Sequence, residues 1–281
     1  MSLISSAKPQ EPNQISCTRQ MIKRGKICLE VEMQGEEGPL ICFLPTLGRS
    51  LEDYALLAKI LSSKGFKTLA INPRGVGASQ GPLDNLTLMD FATDVAWVID
   101  DLSETPAHVM GHGLGNRVAR CLATSYPEQV QSLILLAAGG QIQPVPEIIN
   151  LVRQFMALLS AGEGSDAEIL DIAQTIYFSK TAIIPANWLQ GWCLGALQAQ
   201  RAANRATSVS TWWSGGEAPI LVIQGLEDQI APPANGHALY QDLEGRNIQV
   251  VDLEHAGHML LLEQPEEIAA TTEQFLRNFS R

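Results

Sequence analysis

Val109-Met110-Gly111-His112-Gly113-Leu114-Gly115-Asn116-Arg117 decides the fold of this chain. The apolar run from Pro106 to Met110 leads into it and reads as a strand. A helical run leaves it, from Asn116 to about Tyr126, with Val118, Ala119, Leu122 and Ala123 on one face. A strand, a glycine-rich turn and a helix in this order can hold a dinucleotide pyrophosphate. That role needs a third glycine where Asn116 stands, and an acid about 20 residues on. The stretch Leu133–Ala138 carries no acid, so dinucleotide binding is excluded.

Outward from this turn, apolar runs alternate with amphipathic ones. Strands are predicted around Gln20–Lys23 and Ile27–Met33, joined as a hairpin at Arg24-Gly25-Lys26. Further strands are predicted at Leu40–Leu44, Lys67–Ile71, Ser132–Ala137, Pro219–Gln224 and Asn247–Val251. Helices are predicted over Leu51–Ser63, Thr87–Leu102, Asn235–Leu243 and Pro265–Asn278. With the strand before the glycine turn, this makes a mostly parallel eight-stranded sheet with helices on both faces. Residues 141–215 break the rhythm. They hold helical patterns (Ile148–Ser160, Ala167–Phe178, Trp188–Ala203), no strand, and the tryptophans 188, 192, 212 and 213. The expected organisation is a loose N-terminus over residues 1–18, a core of residues 19–140 and 216–281, and a helical insertion over 141–215.

With 281 residues, 46% of them hydrophobic, the chain can bury one large core. A net charge of −11 argues against a nucleic-acid partner and against docking on an anionic membrane. No apolar run reaches the length of a membrane span. The N-terminal twenty residues are polar and lack the apolar stretch of a secretion signal. Five cysteines without paired spacing fit a reducing compartment, so a cytoplasmic protein is expected. The histidines show no convergent metal-ligand spacing, so neither a metal nor another cofactor is expected.

The glycine turn, the loop Asn72-Pro73-Arg74-Gly75-Val76-Gly77-Ala78-Ser79 and two later loops together resemble the α/β-hydrolase superfamily. In that superfamily the turn between strand and helix is the nucleophile elbow, G-x-S-x-G. Here the serine position is Gly113. The segment Gly225-Leu226-Glu227-Asp228-Gln229-Ile230-Ala231-Pro232 resembles the acid loop, with Asp228 at the acid position and Glu227 as the competing choice. Leu253-Glu254-His255-Ala256-Gly257-His258-Met259 resembles the histidine loop, with His258 as the base and His255 as its competitor. The resemblance implies an oxyanion hole from the backbone N–H groups of Leu114 and Leu47. The family's His-Gly-x-Gly loop reads Pro45-Thr46-Leu47-Gly48 here. It also implies that residues 141–215 cap the site. Thr46, Trp188 and Trp192 are candidate substrate contacts in a pocket for a mostly apolar small molecule. His112 and Arg117 read as parts of the elbow frame, His108 as a satisfied sheet histidine, and His237 as a solvent-facing helix residue.

A serine at the elbow sits at strained backbone angles, and glycine removes that cost. Three readings therefore stay open. His258, held by Asp228, acts as a general base without a covalent intermediate. Alternatively the chain binds a ligand without turning it over. In the third, Gly113 replaces the serine of a hydrolase by substitution.

Overall fold

The computed structural model of the protein describes residues 16–279. Eight strands form one sheet: β1 (Cys17–Arg24), β2 (Ile27–Gln34), β3 (Leu40–Leu44), β4 (Lys67–Ile71), β5 (Ala107–His112), β6 (Val130–Leu136), β7 (Ile220–Gly225) and β8 (Ile248–Leu253). Their spatial order is β1-β2-β4-β3-β5-β6-β7-β8. β1 and β2 form an antiparallel hairpin, β2 joins β4 antiparallel, and every later pairing is parallel. Most of the expected loose N-terminus lies outside the described residues. Cys17 and Thr18 do not belong to it, because they pair with Gln34 and Met33 at the start of β1.

The central strands are mostly apolar and almost wholly buried because both faces are covered. Alternate residues serve opposite sides. Leu40, Cys42 and Leu44 of β3 join one core cluster, and Ile41 and Phe43 join the other. α1 (Ala55–Ser63) follows a 3-10 turn at Leu51–Tyr54. α2 (Leu88–Asp101) is opened by a Thr87–Asp90 capping box, and α3 (Leu114–Ser125) packs against it. α3 begins two residues earlier than periodicity suggested, since Gly113 itself serves as its N-cap.

The insertion holds α4 (Pro146–Ala161), α5 (Asp166–Tyr177) and α6 (Leu194–Ala206), and no strand. The single helix predicted over Trp188–Ala203 is interrupted. Trp188–Gly191 forms a 3-10 turn, and the Cys193 N–H donates to the Gly48 carbonyl at 2.8 Å before α6 starts. Trp212 and Trp213 belong to the core rather than the cap helices, and both lie against the guanidinium of Arg120. The chain closes with α7 (Ala234–Asp242), a short α8 (Leu260–Glu263) and α9 (Pro265–Leu276). No helix among the described residues is long and apolar enough to cross a membrane.

Candidate active site

The residues singled out in the sequence meet at one edge of the sheet. Thr46 and Leu47 follow β3, Gly113 follows β5, Asp228 follows β7 and His258 follows β8. From β3 the chain passes to β4 on one side, while β5 lies on the other. Carboxyl ends of strands at such a switch point form the usual crevice of an open α/β sheet. The glycines of the turn let strand and helix close upon each other. A Cβ at Gly111 would lie 2.4 Å from the Gly115 carbonyl oxygen, and one at Gly115 would lie 2.0 Å from that of Leu44. Between them Gly113 adopts φ 53° and ψ −108°.

His258 Nδ1 lies 2.9 Å from Asp228 Oδ2, and both side chains are buried. The other carboxylate oxygen of Asp228 accepts two backbone N–H bonds, from Ile230 and Ala231, each 2.8 Å. Those bonds fix the carboxylate so that Oδ2 faces the ring. A carboxylate at Nδ1 favours the tautomer with its proton there and leaves Nε2 free to accept one. The histidine loop is held on two sides. His112 Nε2 donates to the His258 carbonyl at 2.8 Å. Burial and the nearby His258 ring push the His112 pKa well below its ordinary value, so its ring stays neutral. On the other side Glu263 accepts the Gly257 N–H and, from the insertion, the Ser179 N–H, each at 2.9 Å. Of the competing residues, His255 has a mostly exposed side chain and lies near Glu227, which accepts the Lys180 N–H.

A Cβ at Gly113 would stand 3.3 Å from His258 Nε2 and 2.1 Å from Thr46 Oγ1. Thr46 is buried, and its loop is tied to the insertion by the Gly48 N–H, which donates to Gln200 Oε1 at 2.7 Å. Leu114 opens α3, so its N–H has no acceptor within the helix. Leu47 and Leu114 both line an inner chamber of about 160 Å³ together with Thr46, Gly113 and His258.

The chamber continues into an outer cleft of about 560 Å³ beneath the insertion, where Val152, Tyr177, Trp192 and Met259 form the wall. Trp192 therefore reaches the cleft. Trp188 does not line it: its ring is buried behind Trp192 among Phe155, Tyr177 and Phe178, under the Arg49 guanidinium. Sequence reasoning missed Arg201 and Asn204 of α6, Tyr177, Ile230 and Glu263. It also read Arg117 as framework only, whereas Arg117 lines the inner chamber. His108 is bonded to Ser132 within the sheet, and His237 pairs at the surface with Asp252.

The fold and the arrangement at the ends of β3, β5, β7 and β8 define an α/β-hydrolase. The chain belongs to the family described as serine aminopeptidase, S33, matched over residues 36–265. It is 23% identical over 251 residues to 3-oxoadipate enol-lactonase 2 of Acinetobacter baylyi, covering 86% of this chain and 90% of that protein. A shorter match, 33% over 112 residues and 40% of each chain, is to 2-(acetamidomethylene)succinate hydrolase of Mesorhizobium japonicum. Among solved structures, a hydrolase from Pseudomonas aeruginosa PA01 superposes with a TM-score of 0.75 at 22% identity. That match covers 92% of this chain and 98% of the other.

Proposed function

We propose that this chain acts on a small carbonyl or ester compound by general-base chemistry of His258, without a covalent intermediate at residue 113. The observation that carries the reading is the placing of His258. Its Nδ1 is held by Asp228, and its Nε2 stands 3.3 Å from where a side chain at residue 113 would begin. On this reading Gly113 occupies the elbow position of a serine nucleophile. Nε2 removes a proton from a water molecule or from a C–H or O–H of the substrate. Asp228 stabilises the imidazolium that results. The negative charge that develops on the substrate oxygen meets the N–H groups of Leu47 and Leu114. The proton then returns from Nε2 to the product.

Thr46 speaks against a serine simply removed by substitution. Its hydroxyl fills the space into which such a serine would project. A protein that only binds a ligand has no need of a carboxylate fixed by two backbone bonds behind a buried histidine.

The test is a screen of small esters, lactones and enolisable ketones, with α-proton exchange followed in deuterium oxide. The hydrolase and lactonase names among the relatives put esters and lactones first. Turnover that falls by about 10²-fold or more in His258→Ala supports the reading. Turnover unchanged in that variant overturns it. Saturable binding of screened compounds with no chemistry in the wild type would instead make the chain a binding protein.

A further inference from the structure

Four arginines line the cleft, and no aspartate or glutamate does. Arg117 and Arg201 face the inner chamber with Gly113 and His258. Arg153 and Arg205 join Arg201 around the outer part. The chain carries 30 acidic residues against 19 lysines and arginines, so a cleft walled by one sign of charge runs against its composition. Two buried arginines elsewhere are matched: Arg49 pairs with Asp53 and Arg74 with Asp94. Among the described residues none of the four cleft arginines forms an ion pair.

Arg117 carries the most weight. It is half-buried, one N–H donates to Asn204 Oδ1 at 2.7 Å, and its guanidinium lies over the Trp212 ring. Burial without a counter-charge pulls its pKa below the ordinary arginine value. One turn further along α3, the fully buried Arg120 has the same lack. It is served by Asn116 Oδ1 and by the carbonyls of Gly139 and Trp213, and Arg117 repels it. A cation withdrawn from water with no anion beside it is costly, and a bound anion offsets that cost.

We propose that the substrate of this site bears a carboxylate, held in the inner chamber by Arg117 and Arg201. The proposal rests on the reading of the cleft as the substrate site and adds the substrate class to it. A planar guanidinium takes a carboxylate through two parallel N–H bonds. Asn204 orients Arg117 for this by occupying a third N–H. Ile149, Val152, Ile230 and Trp192 line the remaining wall and suit an apolar carbon skeleton. The ligand is then an organic acid: apolar along the outer cleft, anionic within the chamber that holds His258.

Paired probes test this. Calorimetry compares 3-phenylpropionate, 3-phenylpropionamide and 2-phenylethylphosphonate on wild type, Arg201→Gln, Arg117→Gln and His258→Ala. The carboxylate should bind the wild type at least about tenfold tighter than the neutral amide. Added salt should weaken it. Arg201→Gln, at a half-exposed position, should lose most of that preference, and Arg117→Gln should do the same if its circular dichroism is native. His258→Ala should keep the preference whether or not it keeps activity, which separates failure of this proposal from failure of the base chemistry. Equal binding of acid and amide overturns the proposal, as does no saturable binding of the acid. A preference unchanged in Arg201→Gln overturns it too. Tighter binding of the phosphonate than of the acid would replace the carboxylate with a phosphoryl group.

Discussion

Thr46 and Gly113 exclude each other's alternatives: a Cβ at residue 113 would lie 2.1 Å from Thr46 Oγ1 and 3.0 Å from its Cβ. Real Cβ atoms do not approach neighbours that closely, and Thr46 is a stiff β-branched residue on a buried loop. Gly113→Ser should therefore destabilise the fold by at least about 2 kcal/mol, from overpacking and from a side chain at positive φ. Gly113→Ser with Thr46→Gly should recover at least about 1 kcal/mol of that loss. Only the double variant presents a hydroxyl to His258 Nε2, so it alone should be labelled at residue 113 by a fluorophosphonate. Urea unfolding and peptide mass spectrometry check both. A single variant as stable as the parent would show that residue 113 is unstrained and that Thr46 yields.

Asp228→Asn should separate the geometry of the site from its chemistry. Asn Oδ1 can still accept the Ile230 and Ala231 N–H bonds, so the loop stays in place. Its amide would donate to His258 Nδ1, forcing the ring proton onto Nε2, where the base is needed. Turnover should drop by about 10²- to 10⁴-fold while ligand affinity and melting temperature change little. A variant with near-parental turnover would show that Asp228 does not set the tautomer of His258.

The eight strands and the loops that carry Gly113, Asp228 and His258 were readable, because most strands are apolar runs and each of these loops lies at the carboxyl end of one; the crossover that places β4 between β2 and β3 was not. Local spacing is enough to place such residues. The arginines were not readable. Arg201 and Asn204 sit on α6, and nothing in the periodicity of that helix says which face meets the cleft. That is set at long range, where Gln200 accepts the Gly48 N–H and Cys193 donates to the Gly48 carbonyl. Composition also misled. The tryptophans suggested a broadly apolar pocket. Trp188 instead packs behind the wall, and Trp212 and Trp213 lie in the core, so Trp192 alone of the four lines the cleft. Thr46 was visible as a pocket hydroxyl, but its fit against Gly113 needed the two loops in space.

Asn72 opens the loop after β4, and its neighbours suit an amide. Its Oδ1 accepts the Leu51 N–H at 2.8 Å, and its Nδ2 donates to Glu30 Oε2 at 2.7 Å, both residues being buried. Asn72→Asp would set two carboxylates against each other there and should cost about 2–3 kcal/mol near neutral pH. The penalty should shrink on acidification, as one proton comes to be shared. Adding Glu30→Gln should recover most of it at neutral pH. Urea midpoints of the three proteins test this, and an Asn72→Asp variant as stable as the parent would sink it.

His108 predicts how the fold fails in acid. Its ring is buried in β5, with Nδ1 2.8 Å from Ser132 Oγ and Phe279 nearby, and burial pushes its pKa down to about 4. Above its unfolded value, about 6.5, the ring is neutral in both states and contributes no pH dependence. As the pH falls below that value, the unfolded chain takes up a proton that the folded ring refuses. Stability is lost progressively until about pH 4, where the folded ring accepts the proton as well. Across that window the loss from His108 is about 3 kcal/mol. His112, lowered by its burial and by the nearby His258 ring, adds to it in the same direction. His108→Gln retains a polar group for Ser132 and does not titrate. It should give up some stability near neutrality and lose less than the parent between about pH 6.5 and about pH 4. Urea unfolding at several pH values measures the two slopes. Parallel curves for parent and variant would show that His108 takes up its proton as readily in the folded protein as in the unfolded chain.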